Sequence, residues 1–167
     1  MKIGESQKND AYEPGAWHDN HIHGFTIREG EDGAGQLVLD IDHILEWLPP
    51  KAGCYSFMIS PAYLVFHEIN DLVISIDYAS LPAAIQPMSI AQIERQEITY
   101  PNGYQSFQWR IEINWPRGEI TFKGSGFSLE LRARPVESSS QALSPEQRQT
   151  MLASDNTLKV DGVSSQP

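Results

Sequence analysis

The chain has 167 residues, with 22 Asp and Glu against 12 Lys and Arg, a formal charge of −10 and 40% hydrophobic residues. A globular chain of this size buries roughly 70% of its unfolded surface, so one domain with a real core is expected and a disordered chain is excluded. No apolar run approaches the ~18 residues of a membrane span, and the acidic balance disfavours nucleic-acid backbone and anionic lipid as partners.

Residues 1–16 are polar, contain Gly and Pro, and lack an apolar signal region, so they read as a flexible segment without a secretory leader. The single cysteine, Cys54, rules out an internal disulfide, and the expected location is the cytoplasm. From Phe25 onward the chain alternates apolar and polar residues. "FTIRE" places Phe25 and Ile27 on one face, "GEDGAG" (30–35) makes a turn, and "QLVLDID" sets Leu37, Leu39 and Ile41 opposite Asp40 and Asp42. In "HILEWLPP" the two-residue period is lost. Ile41, Ile44, Leu45 and Leu48 have helical spacing, which predicts one helical turn near 43–48, ended by Pro49 and Pro50.

Strands are expected at "CYSFMIS", "YLVFHEI" and "DLVISIDY", then a loop at "LPAAIQP" and a further strand over "SIAQIERQEITY". The last third predicts a three-strand meander, "FQWRIEINW", "EITFK" and "FSLELRAR", joined at "WPRG" and "GSGF". Its expected register sets Ile113 against Ile120, Ile111 against Phe122, and Phe122 against Leu129. On the outer face it sets Arg110 against Lys123 and Glu119 against Arg132. Beyond Pro135 the composition turns polar and Ser-rich. Ser144-Pro145-Glu146-Gln147 is a helix start, with Ser as cap, Pro at the first helical position and Gln completing a capping box, so a helix is expected near 145–153. The chain thus reads as mainly β: a single antiparallel β-sandwich or partly open barrel of about eight or nine strands over 17–135, with a short C-terminal helix in a polar tail, 136–167.

"WHDNHIHG", "LVLDIDHILEW", "SPAYLVFHEINDL" and "GEITFKGSGFSLELRARP" together resemble a widespread set of small bacterial β-rich proteins of uncharacterised function, the likeness running from about Trp17 to Pro135. That resemblance implies a bacterial β domain and brings no activity with it. In size, acidity and strand pattern the chain is also similar, more distantly, to immunity-type proteins that neutralise secreted toxins.

"WHDNHIHG" carries the one constellation with chemistry in it. His21 and His23 share a face if the segment is a strand, in phase with Phe25 and Ile27. Pairing with "QLVLDIDH" would bring His23 opposite His43. Three imidazoles on one face, His21, His23 and His43, form a candidate site for zinc or iron with a position open for water. The same residues also read as ordinary buried histidines, and a bulge at Gly24 would turn His21 and His23 out of the core. Trp17 reads as an aromatic plug and Asp19-Asn20 as a self-capping turn. Asp40 and Asp42 read as the wet face of a half-buried strand, or as an interaction surface for a basic partner.

Three functions follow. The first is a non-enzymatic interaction module whose acidic surface meets a basic protein. The second is a metal-dependent enzyme or sensor built on the three histidines. The third is a barrel holding a small apolar ligand.

Overall fold

The computed structural model describes residues 6–7, 12–30, 33–51, 53–78 and 87–160. Nine strands form one antiparallel sheet: β1 (Ser6–Gln7), β2 (His21–Glu29), β3 (Gly35–Lys51), β4 (Cys54–His67), β5 (Asn70–Ile76), β6 (Met88–Thr99), β7 (Gln105–Trp115), β8 (Gly118–Gly124) and β9 (Gly126–Leu131). Their order is β1-β9-β4-β3-β2-β6-β7-β8-β5, and a short β10 (Val136–Ser138) pairs with β4 off this path. One helix, α1 (Pro145–Val160), follows. No helix among the described residues is long and apolar enough to cross a membrane. The expected loop at "LPAAIQP" falls almost wholly on 79–86, and the end of the Ser-rich tail falls on 161–167; both lie outside the described residues.

The sheet curls without closing, because its two ends are joined by chain rather than by hydrogen bonds. β4 runs into β5 through Glu68 and Ile69, and β8 runs into β9 through Ser125, each time passing from one half of the sheet to the other. The two crossings touch: the Ser125 N–H donates to the His67 carbonyl at 3.0 Å. A Cβ on Gly124 would stand 2.8 Å from that carbonyl oxygen, so this corner requires glycine. Between the facing halves lies an aromatic core. Phe66 of β4 meets Phe122 of β8 at 4.8 Å and Trp109 of β7 at 5.0 Å, both edge-on, the arrangement aromatic quadrupoles favour. Leu37, Leu39, Ile41, Leu64, Ile111 and Ile120 complete it, fully buried.

Several expectations are corrected. The predicted helical turn at 43–48 is strand: β3 runs unbroken to Lys51, with a register shift between Ile44 and Glu46. The three-residue step from Ile41 to Ile44 is a change of face. Ile41 points into the main core, whereas Ile44 joins a second cluster with Phe57, Ile59 and Leu143 on the outer face. The C-terminal meander does not form. β8 pairs with β7 and β5, while β9 pairs with β4 and β1. The single residue between β8 and β9 makes a corner rather than a hairpin. Within the β7–β8 hairpin the expected faces are right but the register differs by two residues, Ile111 facing Ile120 and Trp109 facing Phe122. Alternation sets register only in steps of two; the turn length decides the rest. Arg110 accordingly faces Thr121, Lys123 pairs with Asp71, and Arg132 pairs with Asp40. The N-terminal segment, expected to be irregular, places Ser6 and Gln7 against Glu130 and Leu129 of β9.

The β2–β3 hairpin is shifted by two residues as well, and it carries a bulge. Ile22 faces Ile41 and Gly24 faces Asp40, leaving His23 as the extra residue. Phe25 and Ile27 share a face with Leu39 and Leu37, as expected, but both are exposed, because β6 meets β2 only at His21 and Ile22. Ile22 is the β2 residue that enters the core. Ile22→Ala should therefore cost about 2–5 kcal/mol in denaturant unfolding. Ile27→Ala, at a position 58% exposed, should change stability by under about 0.5 kcal/mol.

Candidate functional site

The bulge at His23 decides where the motif residues go. His21 faces Asp42 across the β2–β3 ladder, on the outer side of the sheet. His23 Nε2 lies 2.8 Å from Asp42 Oδ2; a carboxylate only accepts, so this nitrogen carries the proton. His43 points elsewhere, its Nδ1 3.0 Å from Asn20 Oδ1. Three histidines expected on one face are thus divided between two environments. No group of three or more His, Cys, Asp or Glu placed to hold a metal ion is found among the described residues.

Asp40 and Asp42 are engaged on the outer face. Asp42 is fully buried, so the expected wet face is corrected there. The Arg148 guanidinium of α1 bridges the pair, Nη1 to Asp42 and Nη2 to Asp40. Asp42 also accepts the Leu143 N–H at 2.8 Å, and Asp40 accepts Arg132 Nη1 at 3.1 Å. Arg132 in turn lies 4.1 Å over the Tyr63 ring. Two carboxylates two residues apart on one strand face match the fork of a guanidinium, which explains why an Asp-Ile-Asp segment receives an arginine. Burial pushes the Asp42 carboxyl up. The hydrogen bond and charge of His23, the Leu143 N–H and the Arg148 charge together outweigh it and hold Asp42 below its ordinary value.

α1 begins as the sequence predicts. The Ser144 hydroxyl accepts the Gln147 N–H at 3.2 Å and Gln147 Oε1 accepts the Ser144 N–H at 2.8 Å, a reciprocal capping box. The helix runs beyond the expected 145–153, to Val160. Its approach lays Leu143 and Met151 over Ile44, Phe57 and Ile59, which covers the outer face of the β3–β4 hairpin at those residues.

Asn20 holds the other side of the motif, fully buried with every polar group engaged. Its N–H donates to the Trp17 carbonyl and its own carbonyl accepts the Ile90 N–H. Oδ1 accepts the Ile44 N–H at 2.9 Å, which fixes the orientation of the amide, so the His43 contact must be donated from Nδ1. Burial lowers the His43 pKa to about 4, so its ring is neutral near pH 7. Asp19 sits in the left-handed region at φ 62, which supports the expected turn, and accepts Gln141 Nε2 at 2.8 Å. Trp17 is buried against His43 at 5.5 Å and Phe127 at 5.6 Å, the plug the sequence predicts.

Beside Trp17, at the rim of the sheet, lies a cleft of about 480 Å³, lined by Glu13, Trp17, His18, His43, Leu45 and Glu46 among others. This size falls within the ~300–1,000 Å³ typical of ligand sites. Its wall comes from the segment before β2 and from the bulged part of β3. Sequence reasoning missed Glu13 and Glu46, since nothing local in either segment signals that they line one cleft. The space between the facing halves of the sheet is filled by Phe66, Trp109, Phe122 and Phe127, which bears on the expected apolar-ligand barrel. Comparison with protein-family models, with curated proteins and with solved structures gives no match to this chain.

Two outcomes follow for stability. Asp42→Asn leaves Arg148 buried beside one carboxylate and should cost about 3–5 kcal/mol. Glu94→Gln, in the exposed pair with Arg110, should cost under about 1 kcal/mol; denaturant midpoints compare the two. His43 supplies a pH signature. Its folded value of about 4 lies below the ordinary 6.5, so the unfolded chain takes the proton first. The His43 contribution should be lost as pH drops from about 6.5 to about 4, by on the order of 3 kcal/mol. His43→Asn should remove most of that slope. The Asp42 contribution, from a depressed carboxyl, is lost at lower pH, below its ordinary value near 3.8.

Proposed function

We propose that this protein is a non-enzymatic interaction module whose acidic surface binds a basic protein. The supporting observation is how its charges are distributed. Arg110 is held among Glu94, Glu112 and Glu119, Lys123 by Asp71, and Arg132 and Arg148 by Asp40 and Asp42. These four cations are paired with six acids of the same chain, and of the 22 acidic and 12 basic residues that leaves 16 acids against 8 bases. A surface with that field attracts a cationic partner and accelerates its encounter. The similarity to immunity-type proteins, in size, acidity and strand pattern, agrees with a basic toxin as that partner, and a bacterial cytoplasm is the setting this reading assumes.

The interaction surface is not the Asp40–Asp42 pair, which α1 occupies; the partner meets exposed acids such as Glu13 and Glu46. The expected result in an affinity experiment is a basic partner retained at low ionic strength and released as salt rises, since screening shortens the reach of exposed charge to about 3 Å at 1 M. A partner whose retention is independent of salt, or one that is itself acidic, overturns the reading.

A further inference from the structure

We infer that the cleft between Glu13, His43 and Glu46 is a guanidinium site, which receives an arginine side chain of the basic partner. The inference rests on the interaction-module reading and adds the chemical group that is recognised. Three observations carry it. First, the cleft is lined by acceptor-bearing residues: Glu13, Glu46 and His43. His43 commits Nδ1 to Asn20, and its Nε2 has no partner among the described residues. Burial keeps that ring neutral, so it adds no opposing charge at pH 7. The remaining titratable group of the cleft, His18, has its Nδ1 3.1 Å from Asp19.

Second, the acceptors surround apolar and aromatic surface. Trp47, half-exposed, lines the cleft together with Leu45 and the buried Trp17. A planar cation that donates at its edge and stacks on its face suits such a wall; guanidinium does both, with five donors. Third, the alternatives match less well. An anion meets two carboxylates. A neutral apolar group would desolvate them without replacing their hydrogen bonds. A metal ion needs three converging ligands, and no such group is found among the described residues.

The test is a titration of the isotopically labelled full-length chain with three blocked peptides, N-acetyl-Gly-Arg-Gly-amide, its Lys analogue and its Gln analogue, followed by nuclear magnetic resonance. The Arg peptide should shift the Trp17 indole N–H and the Leu45 and Glu46 amides saturably. The Lys peptide should bind more weakly and the Gln peptide should leave these signals in place. The double variant Glu13→Gln, Glu46→Gln, both exposed positions, should keep the spectrum of the folded chain and weaken the Arg peptide at least about tenfold, the loss of about 1.4 kcal/mol. The inference is overturned if the Arg peptide leaves the cleft signals unmoved at about 10 mM, if the Gln peptide moves them equally, or if the double variant binds as tightly. A basic partner that holds the double variant as firmly as the wild type, in a salt-sensitive way, sinks the cleft and leaves the module reading standing. Arg-peptide binding in the cleft with no basic protein bound at any salt supports the cleft and sinks the module.

Discussion

A single guanidinium organises the outer face of this protein. Arg148 is buried and reaches both carboxylates of Asp-Ile-Asp. Burying Asp42 or Arg148 alone would cost several kcal/mol, so neither can be buried until the other is in place. That makes the docking of α1 close to all-or-none. When Arg148 finds its carboxylates, Leu143 is brought to Asp42 by its N–H and to Ile44, Phe57 and Ile59 by its side chain. The pair contributes little net stability against a hydrophobic substitute; its effect is on where the chain ends up. It also accounts for β3 being a strand past Asp42, since a strand with a covered outer face can carry Ile44 there.

Asn20 does for the N-terminal segment what Arg148 does for the C-terminal one. Its amide and backbone connect the turn at Trp17–Asp19 to β3 at Ile44 and to β6 at Ile90. The rim cleft exists because of this clasp: Glu13 comes from the clasped segment, and His43, Leu45 and Glu46 come from the strand it clasps. The bulges serve the same end, turning His23 out to Asp42 and placing Leu45 as the extra residue of β3 at the cleft wall.

The strand faces were legible because a side-chain period of two leaves only two choices, and core burial selects one. Leu37, Leu39, Ile41, Trp109, Ile111, Phe122, Leu129 and Leu131 are all buried, as the alternation indicates. Depth along a strand was not legible: Phe25 and Ile27 have the right face and lie where the neighbouring strand has diverged. Nor were the partners of β9, since a Gly-rich link of this length can serve a hairpin or a corner, and the two differ only in what the rest of the sheet offers. The helical spacing at Ile41, Ile44, Leu45 and Leu48 misled because a switch of face with a bulge imitates a 3.6-residue period.

By itself the amino-acid sequence determined the mainly β class, the inward face of most strands, the capping box that starts α1, the plug at Trp17 and the acidic surplus. Each follows from a residue and its near neighbours along the chain. Only the tertiary structure decided which carboxylates stay free. Asp40 and Asp42 look like surface and are consumed by an arginine more than a hundred residues away, while Glu13 and Glu46 look unremarkable and line one cleft. The reason is physical: local alternation says which side of a strand is dry, but whether a charge stays in water depends on what the remote chain lays over it.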